Sequence, residues 1–390
     1  MKTNLFFNGI LALIVVLALG FLGYIGAVIS LFMGGITFYT PLIVVVTVSL
    51  MIVAVAAIFR LVKRKTLKLT LISLFTLCLI AIAINEVYEG YQKSIVTVSD
   101  QDYNLYGYQP FHDESNVVIL HEPANVMIEG ELPILDGATA LYPVYSAFAR
   151  ATYPEKEYDV HQSEVMSNQT GEAFQNLLNG KVDMIFIAAP SNHQMEQAKK
   201  RGIELEMTPI GREAFVFFVN KKNPVTGLSV EQIQGIYSGD IINWSEVGGE
   251  HEAIRAFQRP ADSGSQTALE KMMDGIPIAD PPTENVVSGM GGVFEEVSSY
   301  KNYKNAIGYT FRFFSNEMVK NGEIRHLEIE GVYPDKETIR SGAYPIASEF
   351  YAITNVENDN SNVDVLLEWI LSEQGQRLIE ETGYVPVKNE

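Results

Sequence analysis

The chain has 390 residues, enough for two or three domains of ordinary size. A formal net charge of −19 argues against a nucleic-acid role, which needs a basic face. A single cysteine, Cys78, excludes a disulfide framework and a multi-cysteine zinc site.

The first 87 residues hold three apolar runs, about 5–33, 42–62 and 67–86. Each is near or above the roughly 20 residues that span a bilayer as a helix. They carry six basic residues and one acidic residue, Glu86, so the acidity belongs to the rest of the chain. The link between the first two runs, "GGITFYTP", is uncharged, whereas "RLVKRKTLK" between the second and third has five basic residues. Basic loops stay cytoplasmic. The N-terminus is therefore expected in the cytoplasm and everything beyond about residue 88 outside it. The first run is long for a signal peptide and lacks a small-x-small cleavage site, so it reads as an uncleaved anchor. Cys78 lies inside the third run after Leu77 and reads as a buried hydrophobe.

Residues 88–130 are polar and aromatic-rich and read as an extracytoplasmic linker that partly packs on the domain after it. From 131 onward strands and helices alternate. "LPILDG" predicts a strand and turn, and "ATALYPVYSAFARAT" a helix with Pro143 in its first turn. "EAFQNLLNG" predicts a helix ending at Gly180, "VDMIFIAA" a buried strand, "EQAKKRG" a helix end and "AFVFFVN" another strand. "SVEQIQGIYSG" predicts a helix capped by Ser229. "AIRAFQR" reads as a strand, "SQTALEKMM" as a helix and "AIGYTF" as a strand. "VDVLLEWILSEQGQRLIEETG" reads as one long amphipathic C-terminal helix. The alternation argues an α/β fold with mostly parallel sheets.

Two loops share a design. "LDGATALYP" and "RPADSGSQTALE" each run from a strand, through glycine and small hydroxyl residues, into a helix. A helix start has backbone N–H groups without internal partners, and its dipole favours an anion. Gly137 and Gly264 leave room for an anion to approach. Thr139, Ser263 and Ser265 offer hydroxyls, and Arg259 offers a planar charged fork. "SNQTGEAFQ" adds Thr170 at a third helix start. Each hydroxyl, taken singly, reads first as an ordinary helix cap; two such loops with an arginine at a fixed offset bring the two readings near even.

Residues from about 131 to 387 resemble the phosphate-binding receptors of ABC transporters, the PstS-like group with the type II periplasmic-binding-protein fold. The resemblance lies in "DGATALYP", in "FVFFVNKKNPVTGLSVEQIQGIYSGDIINWSEVGG", in "RPADSGSQT", in "AIGYTF" and "YPI", and in the closing "GYVPV". It implies two lobes on a hinge, about 131–215 with 330–390 and about 216–329, closing over an anion. Carried over, Arg259, Ser263, Gly264 and Ser265 match the anion loop of the second lobe. Ala138 and Thr139 match that of the first, through amides and the Thr hydroxyl, and Thr170 stands near a further hydroxyl contact. The resemblance implies a ligand of inorganic phosphate or a related oxyanion, an ABC permease as partner, and no catalysis.

Two departures concern selectivity. Ala261 stands where the family often has an aspartate two residues after the arginine, with Asp262 displaced by one. Ala189-Pro190-Ser191 stands where an acidic or Ser-Arg element often follows the strand. A pocket carboxylate accepts the proton of hydrogen phosphate, so its loss bears on the choice between phosphate and sulfate. The six histidines (His112, His121, His161, His193, His251, His326) are dispersed, without HExxH or an i,i+4 pair, so neither metal nor cofactor is expected. No G-x-S-x-G supports a serine nucleophile. "SGMGG" at 288–292 lacks the Lys-Ser/Thr of a P-loop. The sequence thus predicts a membrane-held, extracytoplasmic solute receptor for an ABC transporter. The alternative is a membrane phosphate sensor that uses the same lobes, since three helices exceed what tethering needs.

Overall fold

The computed structural model describes residues 2–32, 38–94, 97–99, 105–259, 261–280, 299–319 and 323–387. "SGMGG" at 288–292 lies outside the described residues. The chain divides into two compact units, 1–95 and 96–390.

The first unit consists of helices α1 (Lys2–Phe32), α2 (Tyr39–Ile58) and α3 (Arg64–Ser94). All three are long and apolar enough to cross a membrane. Gly20, Gly23 and Gly26 recur every three residues on α1 and meet Met51, Thr47 and Ile43 of α2. A Cβ on Gly23 would fall 2.4 Å from the Thr47 side chain, so only glycine permits this approach. The Thr40 hydroxyl donates to Ser30 Oγ at 3.0 Å, and the Tyr39 hydroxyl donates to Glu86 on α3. α3 runs eight residues past the expected end of the third apolar run, into the segment read as linker.

The second unit contains β1 (Thr97–Ser99), β2 (Leu135–Gly137), α4 (Tyr142–Thr152), α5 (Gln169–Leu178), β3 (Met184–Ile187) and α6 (Asn192–Arg201). Next come β4 (Leu205–Asn220), β5 (Gly227–Leu228), α7 (Val230–Ser238), β6 (Arg255–Ala256), α8 (Gly264–Met272), β7 (Ser299–Lys301) and β8 (Ala306–Phe311). A single π-helical turn, Phe314–Val319, precedes β9 (Ile324–His326), β10 (Glu328–Ile329) and α9 (Lys336–Arg340). The chain ends with β11 (Ala347–Asn355), α10 (Asn362–Ile370), α11 (Glu373–Thr382) and β12 (Val385–Pro386).

The main sheet has the order β2-β3-β11-β4-β8-β6. β4 is its spine. Its first half pairs with β11, and its second half pairs with β8 through Phe215–Val219. One strand therefore serves two lobes, and β11 crosses between them beside it. At the crossing Gly211 makes room for Phe350, whose ring would lie 2.3 Å from a Cβ there. The first lobe buries Tyr142, Tyr145, Phe148, Phe186, Leu366 and Trp369. The second buries Phe217, Ile233, Tyr237, Trp244, Leu269 and Tyr309.

Three expectations need correction. The sheet is mixed: β2–β3 and β6–β8 are parallel, whereas β11–β3, β11–β4 and β4–β8 are antiparallel. A continuous apolar run such as "AFVFFVN" signals burial on both faces but not direction. The predicted strand at 253–259 is only Arg255–Ala256. The long C-terminal helix is two helices, because Ser372 caps the second by accepting from the Gly375 N–H. Gly375 sits where a Cβ would lie 2.4 Å from the Ile370 carbonyl oxygen, which permits the tight break. The cap at Ser229 is as the sequence suggests, and Ser191 caps α6 in the same way. Both form reciprocal capping boxes, and the two helices stop at left-handed glycines, Gly202 and Gly239. Much of the linker packs on the first lobe. Gln109 donates to the Tyr158 carbonyl at 2.8 Å, and Arg377 pairs with Glu122 at 3.1 Å.

Candidate functional site

The loops singled out by sequence lie at strand ends facing the cleft. β2 and β3 run parallel with Gly137 opposite Phe186. Their outgoing loops, 138–140 and 188–191, therefore leave the same sheet edge, where open α/β sheets bind ligands. Ala138 spends its N–H on the Phe186 carbonyl at 2.8 Å. The loop's offer to a ligand thus rests on Thr139, whose hydroxyl has no hydrogen bond among the described residues. Gly137 has a packing reason: a Cβ would fall 2.4 Å from Phe186 O.

Thr170 is buried in the first turn of α5. Its position is fixed by Asp136, a residue the sequence reading passed over. Asp136 is fully buried, and its Oδ1 accepts the Gly137 and Asn168 N–H groups at 2.8 Å each. Its Oδ2 accepts the side-chain amides of Asn168 and Asn176 at 3.0 Å each. Gln169 then takes a left-handed φ of 66°, which turns Thr170 into the helix.

On the second lobe Ser263 is the N-cap of α8, accepting the Gln266 N–H at 3.2 Å. Its hydroxyl is therefore partly committed to the helix. Gly264 and Ser265 form the first turn, and the Ser265 hydroxyl has no hydrogen bond among the described residues. Gln266, also unremarked in the sequence, ties the loop together. Its Oε1 accepts the Arg259 N–H at 3.1 Å and the Tyr309 hydroxyl, and Tyr309 accepts the Arg259 N–H at 2.9 Å. Burial pulls the Arg259 guanidinium below its ordinary pKa, and Tyr309 acts in the opposite direction. Arginine keeps its charge in proteins. Burial raises the Glu270 carboxyl one turn further along α8.

The two lobes are in contact across this site. A Cβ on Gly264 would lie 3.2 Å from Thr170 Oγ1, and one on Gly171 would lie 3.9 Å from the Asp262 carbonyl. Asp262, held at φ 61°, reaches the first lobe, accepting from Ser191 Oγ at 2.5 Å and pairing with His193 Nδ1 at 2.9 Å. The displaced aspartate is thus a clasp between the lobes. Ala261 is exposed, and Ala189 faces a cleft cavity of about 620 Å³. Gly264, Thr267 and Lys271 of α8 also line that cavity, with Arg212 of β4 and Glu349 and Tyr351 of β11. Of the seven residues proposed from sequence, Gly264 lines the cavity, and Ala138, Thr139, Thr170, Arg259, Ser263 and Ser265 are not among its lining residues. Among the described residues no cluster of three His, Cys, Asp or Glu side chains could hold a metal ion.

The arrangement brings a buried arginine and the starts of α5 and α8 together. Against known proteins, the family described as the PBP superfamily domain matches residues 134–374. The phosphate-binding protein PstS of Borreliella burgdorferi is 26% identical over 231 residues, 54% of this chain and 76% of its own length. The phosphate-binding protein PstS of Bacillus subtilis is 25% identical over 260 residues, 65% of this chain and 80% of its own. A crystal structure with bound phosphate from Clostridium perfringens, of a protein assigned to phosphate ABC transport, aligns with a TM-score of 0.51. It is 22% identical and covers 65% of this chain and 98% of that one, a likeness of fold.

Proposed function

The chain belongs to the PBP superfamily, and from that premise we propose that it captures inorganic phosphate or a related oxyanion outside the cell membrane and presents it to an ABC permease. The carrying observation is the meeting of two helix starts from opposite lobes, Thr170 on α5 and Gly264 on α8, beside Arg259. Ligand contacts are assigned to Thr139, Thr170, Arg259, Ser263, Gly264 and Ser265. No bond is made or broken; the anion bridges the lobes and holds them closed. Curated relatives named as phosphate-binding proteins support the ligand class.

Helices α1–α3 hold the receptor at the membrane. On this reading the basic segment 60–68, which leads from α2 into the start of α3, faces the cytoplasm, and with an odd number of crossings residues 96–390 lie outside. The acidic surface does not draw anions in, so affinity comes from helix starts and Arg259 at short range. Deleting the protein should reduce uptake of labelled phosphate in cells grown at low phosphate. Unchanged uptake with altered phosphate-responsive expression would favour the sensor reading instead. That reading is supported by the glycine-mediated packing of α1 on α2, which is more than a tether requires.

A further inference from the structure

The cleft is larger than the anion assigned to it. Water occupies about 30 Å³ per molecule in the liquid, so an ion of five heavy atoms displaces on the order of 100 Å³. The cavity beside the anion loops is about 620 Å³, within the usual range for organic ligands. One face of α8 lines it from end to end: Gly264 at the anion end, then Thr267 and Ala268, then Lys271 and Met272. Lys271 lies two turns from Gly264, roughly 10 Å along the helix. Its side chain leans back toward the helix start, as helical side chains do.

Charge is distributed unevenly along this face. Arg212 on β4 and Lys271 both line the cavity, and neither side chain forms an ion pair or a hydrogen bond among the described residues. Arg212 has Glu349 as its neighbour across the β4–β11 ladder, yet the two do not come within ion-pairing distance. Glu349 Oε2 instead accepts the Tyr351 hydroxyl at 3.0 Å. In a chain of net charge −19, two basic side chains lining one cleft without acidic partners are poised for an outside anion. Near the loops the wall is Ala189, where a carboxylate would repel a highly charged ligand.

We propose that Arg212 and Lys271 form a second anion subsite and that the ligand is an extended phosphate. Its terminal phosphoryl group sits at the α5 and α8 starts, and a second anionic group lies about 5–10 Å along α8. The chemistry is shared by condensed phosphates and by organic phosphates bearing a carboxylate or a second phosphate. Glu349, Ser348 and Tyr351 at the cavity wall can hydrogen-bond hydroxyls of the organic kind. The inference rests on the proposed function for the first phosphoryl site and deepens it.

Calorimetry on the full chain in detergent tests it with three probes: orthophosphate, tripolyphosphate and a phosphate monoester carrying a carboxylate. At least one extended probe should bind ten times more tightly than orthophosphate. Lys271→Gln and, separately, Arg212→Gln should each remove most of that advantage while changing orthophosphate affinity less than threefold. Which extended probe gains identifies the source of the chemistry. Orthophosphate binding with no gain for either extended probe, or a gain that survives both substitutions, overturns the second subsite and leaves the proposed function standing. No binding of any probe by folded protein overturns both. Extended binding that depends on Lys271, without orthophosphate binding, upholds the subsite and removes inorganic phosphate as the ligand.

Discussion

Glu213 and His326 lie close to Arg312 near the lobe crossing and should give opposite pH dependences that cancel in the parent protein. Glu213 is buried on β4, its carboxylate accepting the Ala214 N–H at 2.9 Å and the Phe313 N–H at 3.2 Å. Burial pushes its pKa up to about 7 from 4.5, against the pull of Arg312 and then of those N–H groups. Between those values the folded chain keeps a proton that the unfolded chain has released, so stability falls as pH rises. At 1.36 kcal/mol per pH unit the loss is about 3 kcal/mol. His326, bonded to Ser315 Oγ at 2.8 Å, is pushed down to about 4 from 6.5 by burial and then by Arg312. There the unfolded chain holds the extra proton, so stability rises with pH from about 4 to 6.5 by a similar ~3 kcal/mol. Urea unfolding of the full chain, followed by tryptophan fluorescence, reads the second unit alone. Its two tryptophans, Trp244 and Trp369, both lie there, one in each lobe. Relative to the parent, Glu213→Gln should gain stability steadily between pH 4.5 and 6.5, and His326→Gln should lose it across the same window. Variant curves parallel to the parent's would refute the burial argument for both groups.

Three further outcomes are expected. Asp262→Ala removes the clasp to Ser191 and His193; the groups are partly exposed, so the loss should be about 1 kcal/mol, a roughly fivefold faster anion off-rate in stopped flow. An unchanged off-rate would mean the clasp is incidental to closure. In a Cys78→Ala background, a cysteine replacing Ser361 should react with an impermeant thiol reagent in whole cells, and one replacing Thr66 should not; the reverse pattern would invert the topology. Ala261→Asp should sharpen preference for hydrogen phosphate over sulfate in competition binding, by supplying a proton acceptor; a parent that already strongly prefers phosphate must draw its acceptor from elsewhere.

The paired strand–loop–helix units were legible because each is a local pattern: an apolar strand, a glycine, a hydroxyl residue and a helix start. The cap at Ser229 was legible for the same reason, in a three-residue spacing to Gln232. Strand direction was not, since β4 and β11 pair across more than a hundred residues and apolar runs look alike either way. Asp136 and Gln266 escaped notice because their roles exist only once distant partners arrive, Asn168 and Asn176 for one, Arg259 and Tyr309 for the other. Asp262 reads in sequence as a ligand acceptor shifted by one residue; its left-handed backbone instead delivers it to the opposite lobe. Gly137 shows the converse case, a glycine at the right place whose reason is the neighbouring strand.

The central claim is that Arg259 and the α8 start hold the anion. Isothermal calorimetry of phosphate against the folded parent and Arg259→Ala, in detergent at near-neutral pH, tests it directly. The parent should bind one phosphate per chain, and Arg259→Ala should bind more weakly by about 2 kcal/mol or more, roughly thirtyfold, since a charge-assisted pair in a closed cleft is lost. Equal binding by a folded Arg259→Ala, or no binding by the parent, would contradict it.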